Sequence, residues 1–379
     1  PYQFLRNLLI EGFQTGLGDA AVQIAPSLSW IAVIAIVIGV GHTARDWGLA
    51  ALAGACFLYL AVFGQWDSAM VTLASVLVAV PIGAVGGLLL GILAYRRPWV
   101  ERLLRPVLDL MQTVPVFAYL VPILILFGFG PVAALVATVI YAMPPMIRVT
   151  IVALKGVPEE LLEAARMMGA TPRQMTWKVL VPAAVPTLMV GVNQVIMLTL
   201  NMVIIASMIG AGGLGFDVLA SLRKLDIGGG IEAGLAIVVM AIALDRTSQA
   251  FSERRLWRQR TGNLLQRHPW SMIALLVILA TFLLGLVTPA VQSYPEAWMI
   301  STGAFWSQAM EWINVTFFDT LEVIKTALLK GVLLPVKKFF AGIPWLWGIL
   351  ATGLIAWRVA GWKLGIVAVL MMAFIAASG

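Results

Sequence analysis

The chain has 379 residues, of which 61% are hydrophobic and 11% charged, with a mean hydropathy of +0.96. A soluble domain carries about 25% charged residues, so the composition excludes a soluble globular protein and describes a polytopic membrane protein. The net charge of +7 comes from basic residues clustered between apolar runs. That is the positive-inside pattern and not a nucleic-acid surface.

Pro1–Ser29 reads as an interfacial N-terminal stretch without signal-peptide architecture. Short apolar runs follow at Trp30–Gly41 and Gly48–Phe63, then longer ones at Met70–Ala94, Leu108–Phe127, Val132–Ala153, Ala183–Met208 and Ile231–Leu244. Further runs lie at Ser271–Ala290, Trp345–Trp357 and Leu364–Ala377. A spanning helix needs about 20 residues, with about 17 at the low end, so the short runs must recruit flanking Trp and Gly, tilt little, or span incompletely. Arg96, Arg97, Arg102 and Arg105 fill one loop, and Arg254, Arg255, Arg258, Arg260 and Arg267 fill another. Placing both loops in the cytoplasm puts Arg148–Pro182 there by alternation and makes Gly128–Pro131 and Ile209–Gly230 external loops. The first residue is proline and the last apolar run reaches Gly379, which suggests a portion of a longer protein.

One polar stretch interrupts this pattern, VPEELLEAARMMGATPRQMTWKVLVP, from Val157 to Pro182. Its spacing predicts two helices joined by a tight turn. Pro158 suits a first helical position, and Glu159 and Glu160 put negative charge in the first turn. Gly169 falls where a left-handed residue ends a helix, and Thr171-Pro172-Arg173-Gln174 supplies a capping box. Leu161, Ala164, Ala165 and Met168 recur at helical spacing as one small-residue apolar face, suited to docking in a groove of another protein.

Trp30, Trp47 and Gly64 recur as Trp345, Trp362 and Gly379, each 315 residues further on (345 less 30, 362 less 47, 379 less 64). Both segments are an apolar run, a basic break and a second apolar run. On this reading the tail is the lead-in to a second, duplicated unit.

Glu163-Ala164-Ala165, then Gly169, then Leu180-Val181-Pro182 resembles the EAA loop of type I ABC importer permeases. Arg105-Pro-Val-Leu-Asp109-Leu-Met-Gln112-Thr-Val-Pro115 with Tyr119, Pro122 and Phe127-Gly128 is similar to the glycine betaine/proline-type osmoprotectant permeases. Ile140-Tyr141-Ala142-Met143-Pro144-Pro145, Gly191-Val-Asn193-Gln194 and Ile205 to Gly215 carry the same likeness, from Met70 to about Gln249. The resemblance implies an all-α polytopic membrane protein, a type I ABC importer transmembrane domain with a five-helix core plus flanking helices. It implies residues 70–250 as the core, preceded by residues 1–69, which read as a periplasmic/interfacial N-terminal segment with two short spans. Residues 157–182 would be its coupling loop; charge bias makes 251–270 a basic cytoplasmic linker, and the repeat makes 271–379 spans leading into a second permease unit. Glu160, Glu163, Ala164, Ala165, Met168, Gly169, Ala170 and Thr171 would couple to an ATPase dimer that holds ATP and Mg. A periplasmic substrate-binding protein and a second permease core, fused or separate, would complete the assembly in the bacterial inner membrane. The cargo would be a methylated amine: glycine betaine, proline betaine, choline, carnitine or trimethylamine N-oxide.

No catalytic constellation stands out. The sequence holds no G-x-x-x-x-G-K-[ST] loop, so nucleotide hydrolysis would be external to it. Gly210, Gly212, Gly213 and Gly215 match a dinucleotide fingerprint formally but follow a membrane run; they read as a sharp external turn or gate. Cys56 is the one cysteine, and neither His42 nor His268 has a second ligand nearby in sequence. Gln112, Pro115, Tyr119, Pro144, Asn193, Met197 and Asn201 are the candidate path residues. Asn193, Met197 and Asn201 share a helical face that either lines a path or bonds neighbouring helices. The competing class is an ion-coupled secondary transporter of small zwitterions, against which stand charges only near run ends: Asp109, Arg148 and Glu232.

Overall fold

A computed structural model describes residues 2–15, 22–253, 269–285 and 288–378. It divides into two compact units, one ending at Ser307 and one beginning at Gln308. The basic residues from Arg254 to Arg267 lie outside the described residues.

The first unit opens with a short helix α1 (Tyr2–Arg6) and an antiparallel pair, β1 (Phe13–Thr15) with β2 (Val22–Ala25). This pair is the departure among the described residues from an all-helical chain. Helices α2 (Trp30–Ala44) and α3 (Trp47–Val62) form a hairpin whose turn is made by Arg45 and Asp46, Asp46 capping α3 through the Leu49 amide at 2.9 Å. At 15 and 16 residues and about 1.5 Å per residue, neither reaches across about 30 Å of hydrocarbon untilted and alone.

The core is α4 (Trp66–Arg96), α5 (Pro98–Thr113), α6 (Val116–Phe127), α7 (Pro131–Lys155), α9 (Pro172–Ala206) and α11 (Ile227–Glu253), with the short α8 (Glu159–Met167) before α9 and α10 (Leu214–Lys224) before α11. In lipid, helices associate by close packing more than by water exclusion, and glycine supplies the closeness. A Cβ added to Gly87 would lie 2.6 Å from Met146 Cβ, and one on Gly91 2.5 Å from Thr150 Cβ, so α4 and α7 meet backbone to side-chain stem. Gly191 brings α9 against Met146 in the same way. Val195, Leu154 and Leu180 close this core.

Leu108–Phe127, expected as one run, is two helices bent by 104°. Pro115 has no amide proton and forces Val114 out of the helical region, to φ −69° and ψ 130°. The expected loop Ile209–Gly230 contains α10, and the run Ile231–Leu244 is part of a longer helix that carries Asp245 well inside its end at Glu253. Which loops share an end follows from which of them meet. The Gly130 amide donates to the Ile209 carbonyl at 3.1 Å, so the two loops assigned to the outside share one end of the bundle. Lys155 reaches Glu101 at 2.6 Å at the other end.

After α12 (Pro269–Gly285), the segment from Gly303 to Gly342 holds two helices, α13 (Gly303–Thr316) and α14 (Phe318–Gly342), where the sequence pattern marked no element. The second unit ends in a hairpin of α15 (Trp345–Ala360) and α16 (Trp362–Ser378) turned at Gly361, φ +87°. Trp30, Trp47, Trp345 and Trp362 are each the first residue of their helix; Gly379 lies outside the described residues.

Candidate functional site

The polar stretch forms a helix–turn–helix with complete caps. The Ala170 amide donates to Ala165 O at 3.0 Å and the Gly169 amide to Arg166 O at 2.9 Å, the pair of bonds that ends a helix through a left-handed residue. Gly169 sits at φ +75° with nothing within 4 Å of a Cβ built on it, so the position demands glycine for its backbone and not for space. The Thr171 hydroxyl accepts from the Gln174 amide at 3.3 Å while Gln174 Oε1 accepts from the Thr171 amide at 2.9 Å. From Pro172 the chain stays helical for 35 residues to Ala206, with a widened turn over Met175–Leu180. That turn directly precedes Pro182, whose ring crowds the carbonyl one turn back.

The expected single apolar face of α8 is divided. Ala165 is 2% exposed and packs inward, with Leu162 half-buried beside it against the core. Leu161, Ala164 and Met168, together with Glu160, Glu163 and Met167, face out. Met167 and Met168 are 85% and 80% exposed and stand at the tip of the element. Ala170 is half-buried and Thr171 exposed. Ala165 therefore seats the helix on its own chain and is no surface for a partner.

The path candidates separate into three places. Gln112 and Pro115 are exposed at the 104° elbow. Tyr119 ties that elbow by donating to the Met111 carbonyl, and its ring stands edge-on to Tyr141 at 6.2 Å. Pro144 is buried inside α7. On α9, Gln194, Met197 and Asn201 form the exposed face. Asn193, expected with Met197 and Asn201, turns to α11 and accepts from the Ser248 hydroxyl at 2.7 Å. Beside it Gln249 donates to Asp245 at 2.7 Å, and the second Asp245 oxygen is buried without a partner.

Two features at the loops were not visible in the motifs. Arg148 pairs with Asp109 and Lys155 with Glu101, strapping α5 along the end of α7. The signal was there: acidic residues eight apart on one helix and basic residues seven apart on the other, on runs that proved antiparallel. At the opposite end Gly210, Gly212 and Gly213 take φ of +96°, +74° and +83°. The Leu214 amide donates to Thr72 Oγ1 at 3.0 Å, and a Cβ on Gly213 would sit 2.5 Å from that oxygen. Gly215 has no positive φ and instead lets α10 press against Ile204 of α9. Among the described residues, no group of three or more His, Cys, Asp or Glu is placed to hold a metal ion.

Residues 83–301 match the family of binding-protein-dependent transport system inner membrane components. The chain belongs to that family. As an inner membrane component it is a multi-pass protein of the bacterial inner membrane, all-α but for the short strand pair. It is 39% identical over 333 residues to the trimethylamine N-oxide transport system permease protein TmoV of Pelagibacter ubique, covering 84% of this chain and 46% of that protein. TmoV of Ruegeria pomeroyi is 36% identical over 394 residues, 99% of this chain and 59% of that protein. The glycine betaine/proline betaine transport system permease protein ProW of Escherichia coli is 47% identical over 248 residues, 64% of this chain and 67% of that protein. The chain thus spans about half the length of the two trimethylamine N-oxide relatives it matches.

Proposed function

We propose that this inner membrane component is the permease part of an ATP-driven importer for a methylated amine, with ATP hydrolysed by a separate cytoplasmic ATPase dimer. The cargo class rests on the relatives, which are named for trimethylamine N-oxide and for glycine betaine and proline betaine; choline and carnitine share the chemistry. A periplasmic binding protein delivers the substrate to the external end, where Gly210 to Gly215 form the gate. Two permease cores enclose the path, and Gln112, Met197 and Asn201 face it.

The observation that carries this reading is α8. It projects Glu160, Glu163, Ala164, Met167 and Met168 from the end of the bundle that holds Lys155 and Glu101. Caps on both sides of Gly169 make its junction with α9 stiff. A helix of 35 residues at about 1.5 Å each is a lever from that junction to the external glycine turn. ATP binding closes the partner subunits, displaces α8 and turns the path outward; hydrolysis resets it.

The test is uptake of radiolabelled glycine betaine or trimethylamine N-oxide into proteoliposomes holding the complete transporter, its binding protein and internal ATP. Uptake requires both the ATPase and ATP. Uptake that persists without them and follows a proton or sodium gradient overturns the reading, and Asp245 would then be the residue to examine.

A further inference from the structure

The two hairpins correspond in more than their tryptophans. A Cβ on Gly54 would lie 2.7 Å from Ile38, and a Cβ on Gly353 2.4 Å from Val369. Positions 38 and 54 become 353 and 369 at the same 315-residue offset, with the small and large partners exchanged across one helix crossing. In the first hairpin Ala53, Phe57, Leu60 and Ala61 of α3 are each 0% or 1% exposed, and the last three share a buried cluster with residues of α4 and α11; Ala50 packs instead against Gly41 of α2. The equivalent residues of α16 are Ala368, Met372, Ile375 and Ala376, while Gly365, the counterpart of Ala50, is likewise buried within its own hairpin, against Trp357 and Gly353. The order small, large, large, small is kept, although few residues are identical. Small residues at an interval that repeats one face mark helix contact surfaces in membranes. Yet Ala368 and Met372 are only half-buried, Ile375 is 59% exposed and Ala376 is exposed too.

We infer that this face of α16 is the seat of a second permease core that follows the hairpin on the same polypeptide, occupying α16 as α11 and α4 occupy α3. The order is argued from the first unit, where only Phe63, Gly64 and Gln65 separate α3 from the α4 it packs on. Room for such a core exists in the relatives: this chain, used over 99% of its length, leaves about two fifths of the Ruegeria pomeroyi protein unmatched. The inference rests on the reading that two cores enclose the path and adds which surface joins the second one.

The experiment is a tryptophan pair in the complete transporter, Ala376→Trp against Ala373→Trp. Position 373 corresponds to Leu58, which is 45% exposed, and 376 to Ala61, which is 0% exposed. Ala61→Trp and Leu58→Trp serve as internal standards. Overpacking a seat lowers the melting temperature of the solubilised protein, by about 1–4 °C for a protein of this size. Ala376→Trp should do so and Ala373→Trp should not; equal behaviour of the two overturns the inference. Should Ala376→Trp abolish accumulation, Ala376→Cys and Ala373→Cys in a Cys56→Ser background replace it, with position 376 protected from a water-soluble maleimide in detergent and 373 labelled. Equal labelling overturns the inference. So does a disulfide from position 376 to a second, differently tagged copy, which would make the occupant another molecule. Neither readout depends on substrate or ATP, so a failed uptake assay and a failed comparison at position 376 are separate results.

Discussion

Burial pushes the Asp217 carboxyl up from the ordinary aspartate range, and a hydrogen bond with Ser68 pulls it part of the way back. A carboxyl whose folded value is raised costs stability wherever it is ionised in the native state. As pH falls through the folded value toward the unfolded one near 3.8, the native state binds the proton first and that cost is recovered. Asp217→Asn should therefore raise the melting temperature at neutral pH, by a few degrees at most because solvent screens a half-buried group. The gain should vanish as pH approaches 3.8; a gain independent of pH would count against this account. The site is informative because Ser68 and Thr72 sit together on the first turns of α4, and both hold the segment that follows the glycine turn. Other residues show where sequence reasoning stops. Asn193 lies about one helical turn from Met197, so spacing put them on one face, but Ser248 across the interface draws Asn193 sideways. Nothing local to α9 announces a hydroxyl on α11.

Elements whose ends are fixed by neighbours in sequence were readable; those fixed by neighbours in space were not. The turn of α8 into α9 is made by Gly169, Thr171, Pro172 and Gln174 acting within a few residues of one another, and the cap chemistry is written there. Which face of α8 meets its own chain depends on where Met175 and Leu162 pack, and so helical spacing alone groups Ala165 with the outward face although it packs inward. The elbow at Val114 carried a proline signal, but the apolar run continued through it. The helices between Gly303 and Gly342 mix tryptophan, lysine and polar residues and offer no unbroken apolar run to find. The cap itself makes a sharp prediction. A β-branched residue at Gly169 meets open space and pays only the left-handed backbone, about 1–2 kcal/mol. Gly169→Val should leave membrane insertion intact while substrate-stimulated ATP hydrolysis falls by up to about tenfold. Gly169→Asn, which tolerates positive φ, should fall less. Full coupling in the valine variant would mean that the geometry of this turn does not transmit the stroke.

At the scale of the whole molecule, topology rests on two independent arguments that meet. Arginines in the loops set the cytoplasmic side by charge bias. The bond from Gly130 to Ile209 and the ion pair from Lys155 to Glu101 set which loops share an end by geometry alone. Neither uses the other's observations, and both separate α8 from α10 by the full length of α9. Labelling can check this without any assay of transport, provided the probes sit where a side chain is tolerated. Gly213 is unsuitable, since a Cβ there strikes Thr72 and its φ is positive. Gln174 is spent on the capping box. Arg173, exposed beside the cap, and Leu222, 69% exposed on α10, are free of both constraints. In a Cys56→Ser background, Arg173→Cys should react with an impermeant maleimide only in inverted vesicles, and Leu222→Cys only in spheroplasts. Reaction of both from the same side would break the alternation of α9, and with it the placing of α8 where an ATPase could reach it.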